Sequence, residues 1–227
     1  MFRDRIEAGQ MLARHMDHLR DADVVVLGLP RGGVPVAFEV AQALECPLDV
    51  IVVRKLGVPF QPETAMGALG EGGICIINRE VVDLVGVSRL QLEAAIHRER
   101  IELERRSRLF RGGRERIPLE GRVAVIVDDG IATGSTARAA AQVVRAQHLR
   151  RVIVAAPVAP ADIRERLRAD ADEVIVLVQP LHFLAIGDFY VDFSQTSDSE
   201  VIDLLQKADS LIRPSRSRLD PSATLPG

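Results

Sequence analysis

Six short apolar runs, most of them rich in Val and Ile, constrain the fold of this chain more than any other feature. The runs cover residues 24–29, 50–53, 74–77, 123–127, 152–156 and 174–178. Short continuous apolar runs are typical of parallel strands that are buried on both faces. Because stretches with helical spacing separate most of the runs, the sequence predicts an α/β fold. We expect a doubly wound, mostly parallel sheet with helices on both faces.

The helical stretches are interpreted from their apolar spacing and their capping residues. They cover residues 3–19, 34–44, 88–110, 135–147, 162–168 and 199–212. The stretch 88–110 is long and highly charged, and Ser88 and Gln91 in it have the spacing of a capping box. Its arginines are interpreted as a solvated helix face, with phosphate binding as the alternative. Two acid–base pairs at i,i+4 spacing would stabilise this helix: Glu102–Arg106 and Glu104–Arg108.

The region between the second and the fourth apolar run departs from simple alternation. No obvious crossover helix separates run 50–53 from run 74–77, so the third strand is predicted to be antiparallel. The connection over residues 56–73 is long and rich in glycine. A connection of this length without its own secondary structure is usually functional or mobile.

One domain is expected for most of the chain. Of the 227 residues, 47% are hydrophobic and 27% are charged, a composition that supports a large core. The predicted domain covers residues 1–212 and carries a long insertion at 55–121 between core strands. The tail at 213–227 is rich in Pro and Ser and is predicted to be disordered.

Charge and N-terminal sequence exclude several function classes. The formal net charge is -3, which gives no electrostatic footprint for nucleic acid. No apolar run approaches the roughly 18 residues that a membrane-spanning helix needs, and residues 1–5 lead into no apolar signal core. We therefore expect a cytoplasmic protein with neither a membrane nor a nucleic-acid partner. Cys46 and Cys75 are interpreted as reduced, partly buried thiols, because no motif supports a disulfide or a catalytic thiol.

The segment after the fourth run carries the strongest functional signal. Two adjacent carboxylates end the strand, and a loop of small residues then leads into a helix: Asp128, Asp129, Gly130, Ile131, Ala132, Thr133, Gly134, Ser135 and Thr136. Free amides at a helix start favour an anion, and Gly134 lets the backbone approach it closely. The carboxylates suit a sugar diol or a Mg²⁺ shell. The segment therefore predicts a ribose 5-phosphate site, with simple helix capping by the acids as the alternative.

This segment resembles the signature of type I phosphoribosyltransferases that binds 5-phosphoribosyl-1-pyrophosphate (PRPP). A second match lies after the first run, where family members carry a short pyrophosphate loop: Pro30, Arg31, Gly32 and Gly33. An ordinary strand-to-helix turn is the alternative there. The resemblance covers about residues 24–193 and includes a subgroup of predicted phosphoribosyltransferases with no known acceptor. It implies the sheet order 3-2-1-4-5, with strand three antiparallel.

The resemblance also implies how PRPP would be held. Asp128 and Asp129 would hold the ribose 2- and 3-hydroxyls and would contribute to a Mg²⁺ site indirectly, through PRPP. The loop 132–136 would hold the 5-phosphate, and the loop 30–33 would hold the pyrophosphate.

Three basic residues are candidates for a catalytic role. Arg31, together with Mg²⁺, would neutralise the departing pyrophosphate. Lys55 or Arg54 would add positive charge when the neighbouring long loop closes. For Arg54 and Lys55 the alternative is a solvated strand end.

The acceptor pocket is interpreted from aromatic residues that follow the last apolar run. One of Phe183, Phe189 and Tyr190 would stack on a base, and the alternative is a hydrophobic plug over the sheet edge. Ala132 stands where hypoxanthine–guanine enzymes of the family usually carry an acid, which argues against a 6-oxopurine acceptor.

The predicted function is transfer of ribose 5-phosphate from PRPP to a nitrogen acceptor such as a nucleobase, with release of pyrophosphate. The partners implied are PRPP, a small-molecule acceptor and Mg²⁺, with a homodimer as a further expectation. The alternative is a non-catalytic regulatory protein of the same fold that binds PRPP or a nucleotide. A weaker alternative is hydrolysis or transfer of another phosphorylated sugar. The intact pair Asp128–Asp129 and the Arg31 loop favour the enzyme.

Overall fold

A computed structural model describes residues 1–216 of the chain, without the side chains of Glu63 and of residues 212–216. Its strands are β1 (Val24–Gly28), β2 (Leu48–Val50), β3 (Val53–Val58), β4 (Gln61–Gly70), β5 (Cys75–Ile77), β6 (Val123–Val127), β7 (Arg151–Val158) and β8 (Glu173–Val178). The central sheet has five parallel strands in the order β2-β1-β6-β7-β8. The predicted α/β fold class is thereby confirmed.

The position predicted for the third strand needs correction. The strand β5 is antiparallel, as expected, but it pairs with β4 in a separate three-stranded sheet of order β3-β4-β5. The predicted strand 50–53 is divided between the end of β2 in the central sheet and the start of β3 in this second sheet. The central sheet therefore ends at β2 on one edge, and β8 forms the other edge.

The connection over 56–73 is not structureless, because most of it forms the hairpin β3–β4. Its glycines allow close packing instead of flexibility. A side chain on Gly67 would clash with the carbonyl oxygen of Ile76 on the neighbouring strand, and one on Gly70 would overlap the side chain of Val143. Glycine inside a strand often marks such a close approach.

The helices are α1 (Arg5–Ala13), α2 (Gly33–Leu44), α3 (Arg79–Val85), α4 (Arg89–Arg111), α5 (Ser135–Arg145), α6 (Ile163–Leu167) and α7 (Asp198–Arg216). The predicted capping box of Ser88 and Gln91 starts α4, and both predicted i,i+4 ion pairs are present on it. The first helix is shorter than predicted. The last helix includes residues 213–216, which were predicted to be disordered, and residues 217–227 lie outside the described part of the chain.

Successive side chains of the central strands belong alternately to two apolar layers, one on each face of the sheet. On β1, Val24 and Val26 belong to the layer that packs against α1, α2 and α7, whereas Val25 and Leu27 belong to the layer that packs against α5 and α6. Every residue of β1 is buried. The unbroken apolar run thus reflects burial on both faces.

A buried ion cluster ties the insertion to the central sheet. Arg111, at the end of α4, donates to Asp49 of β2 and to Glu71 after β4, each at 2.7 Å. A further bond at 3.1 Å reaches the carbonyl oxygen of Val50. All three charged side chains are buried, so each carboxylate depends on Arg111 for charge compensation. Asp49 also accepts from the amides of Val50 and Ile117.

Among the described helices, none combines the length and the apolar character that crossing a membrane requires.

Candidate active site

The two loops predicted to bind PRPP lie side by side. They follow β1 and β6, which pair in register from Val24↔Val123 to Gly28↔Val127. Gly33 sits so close to the other loop that a side chain there would come within 2.6 Å of the carbonyl oxygen of Val127. A side chain on Gly32 would overlap the carboxylate of Asp129. Both glycines are therefore needed for the loops to touch.

The loop 132–136 leads directly into α5. Gly134 is the N-cap residue and has φ 82°, a left-handed conformation that glycine adopts without strain. Gly134 has no side chain that could cap this helix, and the amide of Ser135 donates to the hydroxyl oxygen of Thr133 at 3.3 Å. The carboxylates therefore do not cap the helix, and the amides of its first turn face the position that an anion would take. Thr133 donates to the hydroxyl of Ser135 at 3.0 Å. Thr136 is exposed beside them.

Asp129 is the more constrained of the two adjacent carboxylates. It is 8% exposed, and the guanidinium Nε of Arg5 donates to its Oδ2 at 2.8 Å. The hydroxyl of Tyr190 donates to its backbone oxygen at 2.6 Å. Burial and the nearby charge of Asp129 raise the pKa of Tyr190, so this hydroxyl stays protonated and remains a donor.

Arg5 and Phe193 complete a closed network around Asp129. The Arg5 guanidinium lies 4.2 Å from the centre of the Phe193 ring, and its Nη1 donates to the carbonyl oxygen of Ser194 at 2.7 Å. The rings of Tyr190 and Phe193 are 5.0 Å apart. We call Arg5, Tyr190 and Phe193 the Asp129 clamp. No sequence signal pointed to Arg5, which lies 124 positions away from its partner.

Asp128 differs from its neighbour because its carboxylate is held only by local contacts among the described residues. Its Oδ1 accepts the amide of Asp129 at 2.9 Å. Burial and the negative charge of Asp129 raise the pKa of the Asp128 carboxyl well above its usual range. A cation or a diol placed here would relieve that destabilisation of the ionised form.

A cleft of about 470 Å³ opens between these loops and the insertion. Its lining includes Pro30, Thr136, Arg54, Lys55, Arg98, Glu99 and Arg106. Arg54 and Lys55 lie within β3, not at the end of a core strand as predicted. Arg54 is bound by Glu99 of α4 at 2.7 Å. Two arginines of α4, Arg98 and Arg106, face this cleft, although the helix was interpreted as merely solvated.

Arg31 points to a different neighbour. Its Nη1 lies 3.7 Å from Asp198 at the start of α7. The structure therefore brings the backbone of the loop 30–33 to the carboxylates, while the Arg31 guanidinium pairs loosely with an acid of the C-terminal helix. The Pro30–Arg31 peptide bond is cis.

The predicted acceptor aromatics separate into two groups. Tyr190 is 5% exposed and belongs to the Asp129 clamp. Phe183 and Phe189 stack on each other with ring centres 5.8 Å apart and pack beside Phe2 and Val158. A stacking role for Phe183 or Phe189 stays a prediction.

Comparisons of the sequence with known proteins agree on one protein family. A family model described as "Phosphoribosyl transferase domain" matches residues 5–194. A Mycobacterium tuberculosis protein named "Putative phosphoribosyl transferase" is 54% identical over 208 residues, which are 92% of this chain and 47% of that protein. The chain thus spans about half the length of the curated relatives it matches.

A solved structure agrees with the described fold. The crystal structure of TT1426 from Thermus thermophilus superimposes with a TM-score of 0.85 at 44% identity, covering 91% of this chain and 98% of that chain.

Proposed function

This chain belongs to the phosphoribosyl transferase domain family, and from that premise we propose that it transfers ribose 5-phosphate from PRPP to a nitrogen acceptor such as a nucleobase, releasing pyrophosphate. The observation that carries the proposal is the contact between the loop 30–33 and the pair Asp128–Asp129. Two anion-binding loops and a diol-binding acid pair then converge at the carboxyl ends of adjacent strands, where open α/β sheets bind ligands.

PRPP would span the two loops. Its 5-phosphate would bind the amides at the start of α5 and the hydroxyls of Thr133, Ser135 and Thr136. The ribose hydroxyls would donate to Asp128 and Asp129. An ionised carboxylate carries no proton, so it acts only as a hydrogen-bond acceptor. The pyrophosphate would lie on the loop that contains Gly32 and Gly33.

Mg²⁺ fits this arrangement as an ion that enters with PRPP. Within residues 1–216, no group of three or more His, Cys, Asp or Glu side chains is placed to hold a metal by itself. Asp129 is already engaged by Arg5, so Asp128 is the acid that would face the ion, and oxygens of PRPP would supply most of its ligands. When bound, Mg²⁺ would neutralise charge on the departing pyrophosphate.

The reaction would break the bond between C1 of the ribose and the pyrophosphate oxygen and would form a bond from C1 to the acceptor nitrogen. The carbon passes through a cation-like state, so the protein would act by positioning and by electrostatics rather than by a covalent intermediate. Arg54 and Lys55 line the cleft and would add positive charge near the leaving group. Arg54 would first have to exchange Glu99 for the ligand.

A non-catalytic PRPP- or nucleotide-binding protein is the second candidate, and one observation favours it. Two of the cations predicted to assist the leaving group are paired with acids, Arg54 with Glu99 and Arg31 with Asp198. Such pairing lowers the positive charge available for catalysis.

An acceptor screen tests the proposed reaction. Purified protein would be incubated with PRPP, Mg²⁺ and single nucleobases, and release of pyrophosphate would be measured. We expect release that depends on both the base and Mg²⁺. If PRPP binds but no acceptor gives release above the rate without acceptor, the transferase proposal fails and the binding protein stands.

Other expectations stay predictions: the domain limits at 1–212, a cytoplasmic location, a homodimer, and the absence of membrane and nucleic-acid partners. The curated relatives are about twice as long as this chain. The activity of a protein of that length is therefore a prediction as well.

A further inference from the structure

Helix α4 separates the cleft of about 470 Å³ described above, which we call the PRPP cleft, from a second cavity of about 540 Å³. The residues of α4 that line it recur at i, i+3, i+4, i+7, i+8 and i+11 and so form one helix face: Arg100, Leu103, Glu104, Ser107, Arg108 and Arg111. The rest of its lining comes from two segments, 69–74 and 113–116. We call it the α4 cavity. None of the residues that line the PRPP cleft lines it.

Two residues that line the α4 cavity each carry a buried polar atom with no hydrogen-bond partner within the described part of the chain. The two atoms are the hydroxyl oxygen of Ser107 and the Nη1 of Arg114. Arg114 is held by Asp209 through Nε at 2.6 Å and Nη2 at 2.7 Å, so its position is fixed while Nη1 keeps its protons. A buried guanidinium N–H without an acceptor is costly, so an oxygen acceptor beside Nη1 would stabilise it.

The charges around the α4 cavity favour an anion as that acceptor. Arg100 forms no ion pair among residues 1–216, although its charge reaches Cys75 and lowers the pKa of that thiol against the effect of burial. The buried cluster of Arg111 is satisfied by its own acids. Arg116 donates to Gln147 at 2.9 Å and lies 3.8 Å from Glu71. Arg108 pairs with Glu104 at 3.2 Å, so Arg100 is the lining arginine that has no acid partner among the described residues.

The cavity also has an apolar wall. Leu69, Ile74 and Leu103 contribute to its lining. A volume of this size, with an apolar surface and a few placed polar groups, is typical of sites for small organic ligands. Guanidinium groups match the geometry of phosphate oxygens.

We propose that the α4 cavity binds a phosphorylated small molecule of about mononucleotide size, at a site separate from the PRPP cleft. The phosphate contacts Ser107 and Arg114, and Arg100, two turns earlier on α4, adds positive charge. The apolar or planar part of the ligand packs against Leu103 and Ile74.

Calorimetric titration with AMP, and separately with inorganic pyrophosphate, tests the proposal on three proteins. They are the wild type, the variant Arg100→Gln/Ser107→Ala, and the control Arg105→Gln, which removes one charge from the same helix outside both cavities. We expect the double variant to bind AMP at least about tenfold more weakly, ~1.4 kcal/mol, and the control to bind it as the wild type does. Pyrophosphate should bind more weakly than AMP, because it cannot use the apolar wall.

Binding at the PRPP cleft is separated from binding at the α4 cavity by a fourth protein, Asp128→Asn. It should keep its affinity for AMP at the α4 cavity. Equal AMP affinity in the wild type and the double variant would overturn the proposal, as would no saturable AMP binding up to millimolar concentration, which would mean that water fills the cavity. A melting curve of Ser107→Ala alone checks that the loss of this hydroxyl does not unfold the protein.

Discussion

At the scale of single residues, the two adjacent acids of the site do different physical work. The clamp fixes Asp129 at two points. Arg5 binds its carboxylate, and Tyr190 binds its backbone oxygen. Asp128 has no such support, and burial beside Asp129 disfavours its ionised form. The pair therefore combines a rigid carboxylate with a destabilised one that a ligand can stabilise.

Asp128→Asn should stabilise the ligand-free protein. A raised pKa in the folded state means that the stability linked to Asp128 is complete below its unfolded value and is lost as pH rises through the folded value. Asparagine cannot ionise, so the variant should melt higher than the wild type, by roughly a few degrees. The difference in melting temperature should grow as pH rises above the unfolded pKa of about 4. A difference in melting temperature between variant and wild type that shrinks with rising pH would show that the ionised form of Asp128 is not disfavoured.

Asp129→Asn should have the opposite effect. It leaves the guanidinium of Arg5 without its anion at a site where both side chains are only 12% exposed. We expect a loss of about 2 kcal/mol in the free energy of unfolding, measured by urea denaturation at pH 7. Asp192→Asn, on the surface near the clamp, serves as the control and should change stability little. A neutral Asp129→Asn would mean that Arg5 does not depend on Asp129.

At the scale of elements, the contact between β3 and α4 decides how much positive charge the PRPP cleft offers. Two guanidinium nitrogens of Arg54, Nη2 and Nε, bind the carboxylate of Glu99 at 2.7 and 2.9 Å. The central strands around this contact could be predicted, because burial on both faces leaves an unbroken apolar run. The hairpin β3–β4 could not, because Gly57, Gly67 and Gly70 serve close packing and also resemble loop residues.

Glu99→Gln should strengthen PRPP binding. The change releases Arg54 from an ion pair and removes one negative charge from the cleft lining, so we expect the dissociation constant to fall by about three- to tenfold. The matched control is Glu93→Gln, which breaks a surface pair with Arg89 on the same helix. Calorimetry with PRPP and Mg²⁺ gives both values. Weaker binding in Glu99→Gln would show that Glu99 positions Arg54 for the ligand.

At the scale of the whole molecule, the insertion and the central sheet are joined by the buried cluster of Arg111, Asp49 and Glu71. Sequence reasoning could not find this cluster, since its members are isolated charges separated by 40 and 62 positions. The same limit applied to the Asp129 clamp. Local signals place strands, caps and loops, whereas contacts between distant segments depend on the assembled fold.

Arg111→Met should destabilise the protein strongly, because it leaves the buried carboxylate of Asp49 without a cation and leaves Glu71 with only Arg116 at 3.8 Å. We expect a loss of about 3–5 kcal/mol in urea denaturation. Arg108→Met, one turn earlier and paired with Glu104 on the surface, should cost about 1 kcal/mol or less. Equal effects of the two variants would mean that the buried cluster does not hold the insertion to the sheet.

The proposal on which the others depend is that this chain binds PRPP with Mg²⁺ between the loop 30–33 and the segment from Asp128 to Thr136. It is tested by calorimetric titration with PRPP, with and without Mg²⁺, on the wild type and on Asp128→Asn. We expect micromolar binding, on the order of 8 kcal/mol, that requires Mg²⁺ and weakens at least about a hundredfold in the variant. Unchanged affinity in Asp128→Asn, or no binding to the wild type with Mg²⁺ present, would show that PRPP does not bind at this site.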